Sequence, residues 1–264
     1  MQNLLKTLCL SSTNEVFDIL GRYNFSTIYP QKKRRYAFRP GRTATSPLVV
    51  CHADTVVLGG FGPHNFNVKG DLVNSIALDD RLGIAAMLAL IDVKSPMADC
   101  AMLVCDEEEI GRSTASLFDE PITPNWMVEL DRRGTDVVCY EYDSPILRSL
   151  LQHVGYEVGQ GSFSDICYLE HLYVCGFNMG VGYHREHSTE CFADLRDTVS
   201  QMGKLEKFYA KFHDVRLDFE PMTYRPSTSS AAYDDFEDAW DEYLNEIDDR
   251  DLTDDWAGPH HRRI

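Results

Sequence analysis

Three consecutive glutamates, Glu107, Glu108 and Glu109, follow the apolar run Ala101–Cys105 and lead into Ile110 and Gly111. Adjacent carboxylates can divide labour: one holds a metal ion, and its neighbour takes a proton from a water that the ion has acidified. An acidic loop in an acidic protein has the same appearance, so the reading depends on whether the chain supplies matching groups. It does. His52 and Asp54 follow the apolar run 47–51, Asp79 precedes an apolar Ala-rich stretch, Asp131 follows the run 125–130, and His184 and His187 follow a further apolar run. Imidazole and carboxylate donors together suit Zn²⁺, Mn²⁺ or Co²⁺.

These groups need elements to position them. Runs 47–51 and 101–105 have the length and unbroken apolar character of buried strands. Residues 125–130, 136–142 and 172–177 read as three more. Leu4, Leu5 and Leu8, then Val16, Phe17 and Leu20, mark two short helical faces at the N-terminus. Ser12-x-x-Glu15 is a capping box opening the second, and Gly21 is expected to end it. Residues 82–93 form a largely buried helix, a further helix starts at Ser113, residues 145–154 form one with Pro145 at its start, and 194–213 have helical spacing. Residues 161–165 read as a turn or helix entry. The basic segment 31–42 (Lys32, Lys33, Arg34, Arg35, Arg39, Arg42) reads as an exposed strand or hairpin with a solvated edge. A Gly-rich loop is expected at Gly59, Gly60, Gly62 and Pro63. Strands alternating with helices predict an α/β fold, a three-layer α/β/α sandwich around a mixed, mostly parallel sheet. Its carboxyl edge, where such sheets bind ligands, is where the acids and imidazoles fall.

The chain has 264 residues, of which 44% are hydrophobic, enough for a sizeable core. No apolar run is long enough to span a bilayer, and residues 1–10 lack the apolar centre of a signal peptide. The eight cysteines show no C-x-x-C spacing, and Cys51, Cys105 and Cys175 lie within apolar runs, as reduced core thiols in a cytoplasmic protein do. The net charge of −17 is uneven: residues 234–255 hold twelve Asp/Glu against one Arg. Residues 1–222 are therefore expected to form the catalytic domain and 223–264 an acidic, disordered tail, either a solubility element or a segment that engages a protein partner. The mildly acidic remainder argues against phosphate-mediated nucleic-acid binding, and nothing calls for a membrane.

His52-x-Asp54-Thr55, Ala77-Leu78-Asp79-Asp80-Arg81-x-Gly83, Glu108-Glu109-Ile110-Gly111, Leu130-Asp131, and Gly182-Tyr183 with His187-Ser188-x-Glu190 resemble, in order, the motifs of the co-catalytic dizinc exopeptidases. That superfamily holds aminopeptidases, some carboxypeptidases and related N-deacylases. Leu4-Leu5 with Ser12-x-x-Glu15 is similar to its N-terminal helices. The resemblance implies that His52 and Asp131 bind one ion, Glu109 and His187 the other, and that Asp79 bridges them. Asp54 would orient His52, and Glu108 would be the general base of a two-metal bridging-water mechanism. Tyr183 or His184 would hydrogen-bond the substrate carbonyl. Ser164-Asp165 would support the site, with Glu107 and Asp80 peripheral. The pair Arg132-Arg133 either meets a substrate carboxylate or is simply solvated. Only 26 residues separate His52 from Asp79, which leaves no room for the extra β-domain that some aminopeptidases insert there, and only 55 separate Asp131 from His187, which leaves none for a lid or dimerisation domain. The expected activity is that of an aminopeptidase acting on short peptides with two divalent ions, Zn²⁺ or else Mn²⁺ or Co²⁺. The alternatives are an amidase or deacylase acting on an N-acyl amino acid or γ-glutamyl bond, and a catalytically silent binding protein.

Overall fold

Apolar residues that do not alternate with polar ones need cover on both faces, and the strands that carry them lie at the centre of the sheet. The computed structural model describes residues 1–56 and 65–220. The Gly-rich loop at Gly59, Gly60, Gly62 and Pro63 and the acidic tail from residue 223 lie outside the described residues.

The chain begins with α1 (Gln2–Leu10) and α2 (Thr13–Arg22), then β1 (Ser26–Gln31), β2 (Arg34–Arg39), β3 (Leu48–His52), β4 (Asn67–Lys69), β5 (Leu72–Asn74) and α3 (Leu78–Asp92). It continues through β6 (Ala101–Cys105), β7 (Met127–Arg132), β8 (Val137–Val138), α4 (Pro145–His153), β9 (Gly176–Gly180), β10 (Tyr183–His184), β11 (Phe192–Asp194) and α5 (Leu195–Phe212). The main sheet has the order β1-β2-β6-β3-β7-β9-β8. Its central strands β6, β3, β7 and β9 run parallel, while β1, β2 and β8 are antiparallel to their neighbours. Every residue of β3, β6 and β9 is buried. Against this sheet, α3 packs on β3 and β7 with α1 behind it, and α5 sets Phe208 edge-on to Trp126 and Phe177. The result is the expected three-layer α/β/α sandwich.

Within the main sheet the chain leaves β3 for β6 on one side and leaves β7 for β8 and then β9 on the other. Neighbouring parallel strands whose connections diverge leave a crevice at their carboxyl ends. His52 ends β3 and Asp131 lies near the end of β7, so both face that crevice. A second, four-stranded antiparallel sheet, β10-β11-β5-β4, was not foreseen. Its strands of two or three residues are too short to show periodicity, and its β10–β11 hairpin carries His187.

Several expected elements differ. The capping box is present, with the Ser12 side chain accepting from the Glu15 amide and the Glu15 carboxylate from the Ser12 amide. The helix passes Gly21 to Arg22, and Asn24 supplies the left-handed residue instead. From Ser113 only a 3-10 turn forms, Thr114–Leu117, because Pro121 and Pro124 follow and cannot donate to a longer helix. The strand expected over 136–142 is cut to Val137–Val138 where Tyr140 turns left-handed. That expected over 172–177 starts at Gly176, after a 3-10 helix, Asp165–Leu172, and a left-handed Tyr173. The basic segment is a hairpin but not a solvated edge: β2 lies between β1 and β6, with Tyr36, Ala37 and Phe38 buried. All eight cysteines are free, and all but Cys167 are buried. Among the described residues no helix is long and apolar enough to cross a membrane.

Candidate metal centre

His52, at the end of β3, is fully buried, and its Nε2 lies 3.2 Å from Asp79 Oδ1 and 3.4 Å from Asp131 Oδ1. Asp79 comes from the irregular start of α3, where Asp79 and Asp80 leave helical geometry and their shared peptide bond is cis. Asp80 turns the other way. Its carboxylate accepts the His52 amide at 3.2 Å and the Gly83 amide at 3.0 Å, tying the helix start to the strand end. Gly83 makes this approach possible, since a Cβ there would stand 2.1 Å from the Leu130 carbonyl oxygen and 2.2 Å from Asp80 Oδ1.

The other carboxylate oxygen of Asp79, Oδ2, faces a second group. His187 Nε2 is 3.2 Å from Asp79 Oδ2 and 3.0 Å from Glu109 Oε2. Two sets of three therefore form, His52–Asp79–Asp131 and Asp79–Glu109–His187, each with its donor atoms within 4.8 Å of one another. Ligands held about 2 Å from one ion at tetrahedral angles stand about 3.3 Å apart, so the spacings within each set fit a single ion. Glu109 Oε1 is buried with no hydrogen-bond partner among the described residues, as a carboxylate reserved for a cation would be.

Electrostatics points the same way. Burial, then Asp79 beside it, pushes the Glu109 carboxyl up to about 7. Burial likewise raises Asp131, although the His52 ring pulls against it. Burial works against the His52 imidazolium, but Asp131, Asp54 and Asp79 outweigh it and leave the ring well above its ordinary value. Hydrogen bonding to Asp79 lifts His187 to about 9. The cluster concentrates acids and imidazoles so closely that it draws in positive charge.

Around the two sets stand groups that orient them. His52 Nδ1 lies 3.1 Å from the Asp54 carbonyl oxygen and 3.4 Å from Asp54 Oδ1. The Asp54 carboxylate also accepts the Glu108 and Glu109 amides at 3.1 and 3.0 Å, so one side chain steadies both the imidazole and the glutamate turn. Glu108 belongs to neither set; its Oε2 is 4.0 Å from His52 Nε2. Burial, with help from Asp79 and Asp54, raises its pKa despite His52. The Tyr183 hydroxyl donates to Asp131 Oδ1 at 3.1 Å, while His184 stacks on Phe192 with ring centroids 5.1 Å apart. Arg132 is bound by Asp136 at 2.7 Å, and Arg133 by Glu186 at 2.5 Å.

Ser164 and Asp165, expected to support the site, do so together with Asn178 and Glu129, which the sequence reading did not single out. Asn178 on β9 accepts the Asp131 amide at 3.1 Å and donates to the Asp131 carbonyl oxygen and to Ser164 Oγ. Ser164 in turn donates to the fully buried Glu129, which also accepts the Asp165 amide. Asp165 is fully buried too, which pushes its carboxyl up to about 7. Glu129 inside an apolar strand, two positions before Asp131, was the one signal available. Arg81 is entirely buried with no hydrogen bond to its nitrogens among the described residues; burial lowers its pKa to about 10, while Asp54, Asp80 and Asp106 act to raise it.

At the sequence level no protein-family model and no curated protein matches the chain. Solved structures do. The aminopeptidase PepT from Bacillus cereus superposes with a TM-score of 0.58 at 12% identity, over 79% of this chain and 98% of that one. The TET1 peptidase of Pyrococcus horikoshii gives 0.59 at 12%, over 77% and 97%. A Thermotoga maritima protein described as an endoglucanase gives 0.55 at 12%, over 76% and 95%. The fold expected from the motif resemblance is thus the fold found, shared with solved peptidases. At this identity the likeness establishes fold alone, and activity has to be argued from the site.

Proposed function

We propose that this chain is a metal-dependent exopeptidase, an aminopeptidase that removes N-terminal residues from short peptides with a pair of divalent ions. The observation that carries the reading is the pair of donor sets sharing Asp79, one carboxylate oxygen given to each. His52 and Asp131 would hold one ion, Glu109 and His187 the other, and Asp79 both. Three carboxylates and two neutral imidazoles offset most of the charge of two divalent ions and leave room for substrate. A bound pair supplies Lewis acidity, polarising the scissile carbonyl and making water acidic enough to lose a proton near neutrality. Glu108 takes that proton and passes it to the leaving amine, a role supported by a carboxylate that stands beside both sets and belongs to neither. Asp54 fixes the His52 tautomer from behind. The peptidase names of two of the three structures above agree with this reading.

Zn²⁺ is the ion we assign first, with Mn²⁺ and Co²⁺ accommodated by the same donors. We assign residues 1–222 to the catalytic unit and 223–264 to an acidic tail, on the charge break in the sequence. The free thiols support a cytoplasmic setting. The test is hydrolysis of aminoacyl-anilides and of N-acyl amino acids by protein stripped with chelator and reloaded with each metal in turn. Metal-dependent release from the anilides is expected. Turnover of the acylated substrates alone overturns the aminopeptidase assignment, and no turnover with any metal overturns the enzyme.

A further inference from the structure

Arg34 and Arg35, which open β2, do not face solvent as surface charges. In the β2–β6 ladder Ala37 pairs with Val104 and Phe38 with Leu103. Continued past the end of β6, that register sets Arg35 opposite Asp106 and Arg34 opposite Glu107. The side chains follow it. Arg35 Nε donates to Asp106 Oδ2 at 3.2 Å and Nη2 to Asn14 Oδ1 at 2.7 Å, with the guanidinium 3.9 Å from the centroid of the Phe17 ring. Arg34 Nε donates to Glu107 Oε2 at 2.9 Å, and its Nη2 donates to the carbonyl oxygens of Arg112 and Ser113. Both side chains are mostly buried, at 18% and 14% exposure.

Those contacts bracket the turn that carries Glu108 and Glu109. The turn starts at a left-handed Glu107, ends at a left-handed Gly111, and closes through Arg112 N to Glu107 O at 3.0 Å. Its inner side is held by Asp54, which accepts both glutamate amides. Its outer side is held by Arg34, which joins Glu107 to the two residues after Gly111.

We propose that Arg34 is a positioning residue for the reaction, stapling the entry of the Glu108–Glu109 turn to its exit and so fixing where both carboxylates stand relative to His187 and Asp79. The proposal rests on the function given above. A planar guanidinium with several donors can reach a carboxylate and two carbonyl oxygens at once, whereas an ammonium group satisfies them only in part. Arg35 buttresses the same turn through α2. The two donor sets should depend on this staple unequally, because Asp79–Glu109–His187 draws a ligand from the turn and His52–Asp79–Asp131 does not.

The experiment compares the full chain with Arg34→Ala, Arg34→Lys and, as a control in the exposed turn of the same hairpin, Lys32→Ala. Zn²⁺ binding is followed by calorimetry, amide hydrogen exchange over residues 106–114 by mass spectrometry, and aminoacyl-anilide turnover by kinetics. For Arg34→Ala, one of two Zn²⁺ sites should weaken about 10–100-fold while the other holds. The Glu108 and Glu109 amides should exchange faster, and kcat should fall about 10–100-fold with KM within about threefold. Arg34→Lys should recover part of each loss, and Lys32→Ala should match the unaltered protein. General destabilisation would weaken both sites together and is separated in that way. Should Arg34→Ala not fold, Glu107→Gln, which removes the charge of the staple's partner, is read out identically. Wild-type-like Zn²⁺ binding and exchange over 106–114 in the altered protein overturn the staple. Lack of peptide turnover by the unaltered protein overturns the function instead, and the exchange measurement still decides on Arg34.

Discussion

Replacing Glu108 by glutamine isolates the proton-transfer step. The amide keeps the size of the side chain, and the contact anchoring the position, Glu108 N to Asp54 Oδ1, is made by the backbone and survives. None of the five proposed ligands changes. What is lost is a carboxylate whose basicity burial and the neighbouring Asp79 enhance, held 4.0 Å from His52 Nε2. General-base catalysis by a positioned side chain contributes about 10²–10⁴-fold, so Glu108→Gln should lower kcat by about 2.7–5.5 kcal/mol in barrier terms. Metal content, measured by mass spectrometry after removal of free ions, should stay at two per chain. Turnover within about threefold of wild type would refute the assignment, since no proton-transfer role is that small. If metal content instead drops to one, Glu108 is a ligand and Glu109 becomes the candidate base.

Three further outcomes follow from the same geometry. Ions that bind only the folded chain stabilise it by about 2.7 kcal/mol at 100 times Kd, so chelation should lower Tm by about 5–10 °C from the Zn²⁺-loaded value; an unchanged Tm refutes a folded-state metal site. Gly83→Ala puts a Cβ 2.1 Å from the Leu130 carbonyl oxygen and must push α3 off β7. It should cost about 1–3 kcal/mol in urea unfolding and weaken metal binding through Asp79, and a wild-type midpoint would contradict the packing described. Ser12→Ala removes the capping box from α2, which should cost about 1 kcal/mol by thermal unfolding and leave turnover untouched; a loss of activity would show that α2 reaches the site in a way these contacts do not.

The parts of the fold legible in the sequence were those with dense one-sided signals. β3 and β6 are unbroken apolar runs, α3 and α5 have long buried faces, and the α2 cap is a four-residue pattern. The strand at Gly176–Gly180 was misplaced because Leu172, Val174 and Cys175 are also buried, as the end of a 3-10 helix and its exit. Composition reports burial, whereas the register is set by pairing with Met127–Glu129 across the sheet. At the site, His52, Asp79, Glu109, Asp131 and His187 came together because each follows or precedes a recognisable element. Asn178 and Glu129 did not declare themselves, since an amide or acid within a strand shows its purpose only once its neighbours are known. Arg34 was misread for the same reason. Charge beside charge in a hairpin has the pattern of solvation until the facing loop proves to be Asp106–Ser113.

That misreading bears on how one sheet edge tolerates so many acids. Asp54, Asp79, Asp80, Glu108, Glu109 and Asp131 belong to the candidate centre, with Glu129 and Asp165 buried beside it. Two metal ions would answer only the acids that touch them. Most of the remainder have their own partners: Asp80 and Asp54 take backbone amides, Glu129 takes Ser164 and two amides, and Asp106 and Glu107 take arginines of β2, whereas both carboxylate oxygens of Asp165 are buried without a hydrogen bond among the described residues. Arg81 makes no hydrogen bond among the described residues, and the charges of Cys9, Asp54, Asp80 and Asp106 act to keep it protonated against its burial. A fixed cation there lowers the cost of gathering these carboxylates before any ion arrives. The basic residues are thus part of the acidic site, and a chain that kept the five ligands without Arg34 would hold Glu109, the one ligand on the stapled turn, in looser order.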